Sequence, residues 1–144
     1  MQLLLFFRKN ILYIAFVQAL VATLGSLYFS EIAHFPPCIL CWYQRICMYP
    51  IVALSAVGIL RRDKNAPYYI LPLSVIGLFI AAYHNLLYYS ILPESAAPCI
   101  AGVSCTTKFI EWFGFVTIPF LSLVAFAVIT VSMVFFIKQK KYVK

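Results

Sequence analysis

Four long, almost uncharged apolar runs divide this sequence, and they leave few folds open to it. The first, Ile11 to Phe29, follows Arg8-Lys9 and precedes Glu31. As a helix rising about 1.5 Å per residue, it crosses a hydrocarbon core about 30 Å thick. A cleaved signal peptide is the other reading of this run. However, the run is long for such a segment and lacks an Ala-x-Ala-like site leading into a soluble chain. The second run, Ile46 to Leu60, reaches only about 22 Å. Extended back to Ile39 it is long enough, but Arg45 then lies inside it. The third, 68–92, holds Pro72 near its start and His84-Asn85 towards its far end. The fourth, 113–137, holds Pro119 in its early turns. In lipid, backbone N–H and C=O groups must be satisfied without water, so such runs read as helices. The sequence therefore predicts an all-α integral membrane fold, with residues 1–144 as a single membrane domain. Its spans, about 11–29, 39–60, 68–92 and 113–137, form an antiparallel four-transmembrane-helix bundle, with loops at about 30–38 and 93–112.

Composition agrees, since 65% of the chain is hydrophobic and 10% charged. Soluble domains run near 45–50% and 25%. A net charge of +7 would point to nucleic acid in a soluble chain. Here no soluble segment carries a basic patch with interleaved aromatics, so nucleic acid is excluded as a partner. The cations instead cluster where apolar runs end. With four spans, Arg8, Lys9, Arg61, Arg62, Lys64, Lys138, Lys140, Lys141 and Lys144 share one side, and only Arg45 and Lys108 take the other. The positive-inside rule then makes both termini cytoplasmic. Cys38, Cys41, Cys99 and Cys105 face outwards, where disulfides form and persist.

The stretch Phe35-Pro-Pro-Cys-Ile-Leu-Cys-Trp-Tyr-Gln-Arg45 concentrates the chemistry. A Cys-x-x-Cys pair closes a small disulfide ring of a kind that is often labile and redox-active. Pro36 and Pro37 favour an extended chain, so the second helix begins near the pair and Cys41 falls in its first turns. Unpaired N–H groups and the helix dipole favour a thiolate there. Arg45 follows Cys41 by four residues, on the same helix face. A cation there stabilises a thiolate, and equally a reduced quinone forming beside it. Arg45 also serves as a plain interface anchor in the alternative reading. Buried charge is costly in lipid, so Arg45 and Cys41 belong at the outer edge of the hydrocarbon.

Cys99 and Cys105, with Gly102 between them, can close a disulfide, and a simple loop staple is one reading. Four outer cysteines allow three connectivities. A zinc site built from them is loosely spaced and has only His34 as an outer histidine, so no metal is expected. Cys47, inside the second helix, reads as a small apolar residue. His84 and Asn85 within a span mark a functional-site candidate. The two readings of His84 are an interhelical hydrogen bond, and a hydrogen bond to a bound cofactor or a proton relay.

With Pro37-Cys-Ile-Leu-Cys-Trp-Tyr-Gln-Arg45 leading into helix two, the sequence resembles the DsbB family of membrane thiol–quinone oxidoreductases, most closely its short Gram-positive form. His84 in helix three and Phe113-Gly114 to Pro119 ahead of helix four are similar too. The resemblance implies a bacterial cell-membrane enzyme that reoxidises an extracytoplasmic thioredoxin-fold thiol oxidase. The partner's thiolate would attack Cys99 in a Cys99–Cys105 disulfide. Electrons would pass through Cys105 and Cys38 to the Cys38–Cys41 pair, and Cys41 would react with menaquinone or ubiquinone. Arg45 and His84 would hold the quinone, whose reduced form the respiratory chain reoxidises. The second cysteine pair is more closely spaced than in longer members of the family, leaving little room for an extra interfacial helix. Two alternatives remain: a quinone or quinone-epoxide reductase similar to vitamin K epoxide reductase, and a non-enzymatic membrane subunit or small transporter. In the former family the Cys-x-x-Cys comes late in the bundle, and for the latter the midplane polar residues of a transport pathway are sparse.

Overall fold

The computed structural model describes residues 2–93, 95, 97, 104–106 and 117–142, with side chains described from residue 10 to 139 within those segments. Four α-helices follow one another: α1 Gln2–Leu27, α2 Ile39–Leu60, α3 Ala66–Tyr88 and α4 Ile118–Tyr142. A π-type turn, Tyr28–Ile32, extends α1. No strand occurs among the described residues. Each helix contains a stretch long and apolar enough to cross a membrane: Asn10–Ile32, Ile39–Leu60, Ala66–Tyr88 and Ile118–Gln139. Every helix packs against its neighbours in sequence, and α1 closes the ring against α4.

Local chemistry sets where the helices stop. The described chain has three non-glycine residues with positive φ, and each ends a helix: His34 (54°), Arg62 (50°) and Ser90 (56°). In the left-handed conformation the next N–H folds back over the last turn. Asp63 N–H thus donates to Gly58 O at 2.9 Å and Ile91 N–H to Leu86 O at 3.0 Å. Phe35 N–H reaches Phe29 O at 2.9 Å, one residue further back, because the π-type turn has lengthened the ring. The third apolar run continues to Leu92, but α3 ends at Tyr88 because Ser90 turns the chain. Helix α4 begins at Ile118; the 113–116 part of the fourth run lies outside the described residues.

Large and small side chains alternate through the bundle core. Phe126, Ile51, Ile70, Ile129 and Met133 are fully enclosed, beside Ala15, Ala19 and Ala81. Gly77 of α3 leaves the space that the Phe126 ring of α4 occupies. Small residues that let helix backbones approach are the usual device for packing in lipid, where burial of apolar surface gives no net drive between helices. Val21, Leu60, Phe79 and Val131 point outwards and stay exposed, as lipid-facing residues must. This core holds the non-polar length of the bundle together. A second, smaller buried cluster at one end joins Cys38 and Leu40 to Leu87 and Cys105.

Candidate active site

That end cluster is built on the start of α2. Pro36 and Pro37 hold the chain extended up to Cys38, whose φ of −72° and ψ of 170° make it the N-cap. Its sulfur takes the place of the usual capping oxygen and accepts the Cys41 N–H at 3.4 Å. The Cys41 sulfur lies 3.1 Å from the same sulfur, and its thiol donates to it when Cys38 is the thiolate. The helix start and both donors therefore converge on Cys38, whereas the sequence spacing predicts Cys41 as the thiolate. Cys38 lies just outside the span, and its thiol is pulled from 9.0 down to about 4. The hydrogen bond from Cys41 is the largest cause; burial opposes it, and His84 adds to it. At 3.1 Å the two sulfurs need to approach by only about 1 Å to bond.

His84 reaches this sulfur from α3. Its Nε2 lies 3.8 Å from Cys38 Sγ and 3.2 Å from the carbonyl oxygen of Cys105. Its Nδ1 lies 3.1 Å from the Gln44 side-chain nitrogen. A carbonyl only accepts, so Nε2 must carry a proton; the Gln44 amide then donates to Nδ1. Both ring nitrogens are engaged, and the ring is almost wholly buried. His84 thus meets the Cys105 loop and the first cysteine pair at once.

Arg45 is also buried, yet its guanidinium turns to α1. Nε donates to Ser26 Oγ and Nη2 to Ser26 O, both at 2.8 Å. The Trp42 ring lies 5.2 Å from Cζ, within cation–π range. Among the described residues, Nη1 has no hydrogen-bond partner. This fork satisfies a charge that would otherwise be costly inside a span.

Cys38, Cys41, Arg45, His84 and Cys105 all line one cavity of about 300 Å³. Its walls are largely carbon, with Phe29 and Phe35 stacked on one side (ring centroids 6.3 Å apart) and Met48 and Phe126 deeper in. A volume of this order suits a small flat ring. Cys105 is disulfide-bonded, while Cys38, Cys41 and Cys47 are free thiols. Cys99 lies outside the described residues. Cys47 sits in the apolar core beside Met48, and exposed His34 is not among the residues lining the cavity.

Two participants were not singled out by the sequence, Gln44 and Ser26. Gln44 did carry a signal, as an uncharged polar residue in a span one turn from Cys41. Ser26 carried none, because only the packing of α1 on α2 brings it to Arg45. The structure also assembles three potential metal ligands, Cys38, Cys41 and His84, whose ligand atoms lie within 4.8 Å of one another. The histidine in this group comes from α3, not from the loop that carries His34.

Comparison with known proteins extends this picture. The family model described as "Disulfide bond formation protein DsbB" matches residues 8–136. Disulfide bond formation protein C of Bacillus subtilis is 48% identical over 126 residues, covering 88% of this chain and 91% of the relative. The probable disulfide formation protein C of Halalkalibacterium halodurans is 46% identical over 132 residues, covering 92% and 96%. The SPbeta prophage-derived disulfide bond formation protein B of Bacillus subtilis is 40% identical over 135 residues, covering 92% and 90%. No solved structure matches significantly.

Proposed function

The chain belongs to the DsbB family and is a membrane thiol oxidoreductase of disulfide bond formation, and from that premise we propose that it reoxidises an extracytoplasmic thioredoxin-fold thiol oxidase and delivers the electrons to a membrane quinone. One observation carries the proposal: Cys41 and Arg45 share an apolar-walled cavity with Cys38, and Cys105 reaches the same cavity. A lipid-soluble acceptor needs carbon walls, a thiol and a donor for its carbonyls, and the cavity contains all three.

The cysteine-bearing end is the extracytoplasmic one in this reading. Arg61, Arg62 and Lys64 lie in the α2–α3 turn at the opposite end of the bundle from Cys38. The positive-inside rule assigns that turn to the cytoplasm.

The reaction is a series of thiol–disulfide exchanges followed by a two-electron oxidation. The partner's thiolate attacks Cys99 of a Cys99–Cys105 disulfide, and Cys105 leaves as the thiolate. Cys105 then attacks Cys38 of the Cys38–Cys41 disulfide and releases Cys41 as a thiolate at the cavity. The second partner cysteine resolves the mixed disulfide and frees Cys99. Cys99 attacks Cys105 of the Cys38–Cys105 disulfide, re-forms Cys99–Cys105 and releases Cys38, so two electrons rest on the Cys38–Cys41 pair. Bound quinone supplies the final acceptor of these two electrons and two protons. Arg45 holds its site by the fork to Ser26 and offers Nη1 to the ligand. His84 keeps the Cys105 loop against Cys38. Free Cys38 and Cys41 beside a disulfide-bonded Cys105 correspond to the stage with electrons on the first pair.

Purified protein in detergent, assayed for co-purifying quinone and for quinone reduction by a reduced thioredoxin-fold partner, tests this. Cys41→Ser and Cys99→Ser should each abolish turnover. Full activity in Cys41→Ser sinks the proposal.

A further inference from the structure

We propose that the reduced Cys38–Cys41 pair and His84 form a redox-gated binding site for a thiophilic divalent cation of the zinc class, and that its occupancy blocks reoxidation of the pair. Three atoms form the site: Cys38 Sγ, Cys41 Sγ at 3.1 Å from it, and His84 Nε2 at 3.8 Å. All three lie within 4.8 Å of one another. Tetrahedral zinc, with bonds of about 2.3 Å to sulfur and 2.0 Å to nitrogen, needs sulfurs about 3.8 Å apart and sulfur about 3.5 Å from nitrogen. These two separations therefore need to change by less than about 1 Å.

The surroundings suit a metal as well as the ligand atoms do. A histidine that ligates through one nitrogen donates its other N–H to an acceptor behind it. Gln44 stands 3.1 Å behind Nδ1, and turning its amide over presents Oε1 to that N–H. His84 then exchanges its bond to the Cys105 carbonyl for one to the metal. Two thiolates and one divalent cation sum to zero charge, which favours the site at the edge of a low-dielectric span. Two sulfurs and an imidazole select zinc or cadmium over magnesium or calcium. The fourth position faces the cavity, as in open zinc sites.

The gate is chemical. Closing the Cys38–Cys41 disulfide consumes both sulfur ligands and leaves His84 alone, so only the reduced protein binds. A bound cation in turn holds both thiolates away from an electron acceptor. The block on reoxidation rests on the oxidase reading above; metal binding does not.

The test uses full-length protein in detergent, in a Cys99→Ser/Cys105→Ser background that removes the other outer cysteines. Reduced protein, freed of reductant, is titrated with Zn²⁺ against a chromophoric chelator, and with Cd²⁺ for its sulfur-to-metal absorption. One ion per chain is expected, with Cys38→Ser or Cys41→Ser abolishing tight binding. Gln44→Leu should weaken it about tenfold, and Cys47→Ser should leave it unchanged. The same preparation oxidised to the disulfide should not bind, a control that needs no further variant. Equal binding by the oxidised protein, binding that survives Cys38→Ser, or no binding to the reduced protein overturns the site. With the native cysteines restored, Zn²⁺ should halt quinone reduction and a chelator should restore it. Saturated metal with unchanged turnover overturns the block.

Discussion

The carbonyl oxygen of Cys105 lies 3.2 Å from Nε2 of His84. The contact ties a backbone group of the second cysteine loop to a side chain of α3, far away in sequence. The same N–H lies 3.8 Å from Cys38 Sγ, so one proton is shared between a loop carbonyl and a redox sulfur. Charge on that sulfur draws the proton away from the carbonyl, because a hydrogen bond to an ionised acceptor is about twice as strong as one to a neutral acceptor. Reduction of the first pair thereby loosens the hold on the Cys105 loop.

The Cys38 thiol should stay reactive in acid. Its value falls from 9.0 to about 4 in the fold, chiefly through the Cys41 thiol. Above about pH 5 the thiolate is already formed, so alkylation by iodoacetamide should be nearly independent of pH up to 8. It should fall as the pH drops through about 4. A depressed value also stabilises the reduced fold fully above pH 9.0 and progressively less as the pH falls towards 4. Cys41→Ala removes the main donor and should move the alkylation midpoint upwards. Rates measured in a Cys47→Ser background, with the labelled residue located by mass spectrometry, check this; a midpoint near 9 in the unaltered pair contradicts it.

Gln44 should matter chiefly through His84. Its amide, 3.1 Å from Nδ1, makes the Nε2–H form of the ring the satisfied one. Gln44→Leu removes the donor and lets the ring move its proton to Nδ1, which would set Nε2 against the Cys105 carbonyl. Losing one such bond costs about 0.5–1.5 kcal/mol. Electron transfer from the second cysteine pair to the first should slow by up to about tenfold, measured by rapid mixing with a reduced partner. The transfer rate should change more than quinone affinity, because Gln44, although it also lines the cavity, acts mainly by positioning His84.

Much of this molecule was legible because lipid imposes simple rules. The four spans follow from length and charge, and α2 needs the residues from Ile39 to complete its length. That requirement drew Cys41 and Arg45 into one site before any geometry was known. The partners of these side chains were hidden. Ser26 is an ordinary small polar residue in α1 until the packing of α1 on α2 brings its hydroxyl and carbonyl to Arg45. Proton placement on His84 depends on Cys105 O, a backbone atom whose position no side-chain pattern encodes. The N-cap role of Cys38 was similarly masked, because cysteine is not among the usual capping residues.

Ser26 and Arg45 should act as a unit on ligand binding. Arg45 uses two nitrogens on one residue, a fork that a lysine ammonium does not reproduce. Ser26→Ala removes the Oγ acceptor and keeps the carbonyl, so the guanidinium stays in the cavity wall but is less firmly held. The expected result is a several-fold rise in KM for quinone with a smaller change in kcat. Arg45→Lys should raise KM further. Neither variant should alter the pH profile of Cys38 alkylation, because the donors to that sulfur come from Cys41 and His84. A shift in that profile would mean that Arg45 acts on the thiols and not on the ligand.

Gly77 should be the least replaceable glycine in the described bundle, and the reason bears on the cavity. A Cβ at this position would run into Cε1, Cζ and Cδ1 of Phe126. The ring is fully buried and cannot yield without moving α4 or swinging into the cavity that it lines. Overpacking of this kind costs about 1–3 kcal/mol, more than the roughly 0.5–1 kcal/mol that alanine gains over glycine within a helix. Gly77→Ala should therefore lower the thermal midpoint in detergent and weaken quinone binding together. Gly25→Ala is the matched control for stability alone, since a Cβ there meets nothing within 4 Å but Gly25 also lines the cavity. That variant should keep or slightly raise stability through helix propensity alone. If Gly77→Ala lowers stability but leaves quinone affinity intact, Phe126 has moved with α4 and not into the cavity. Losing both properties identifies its ring as the wall against which the ligand packs.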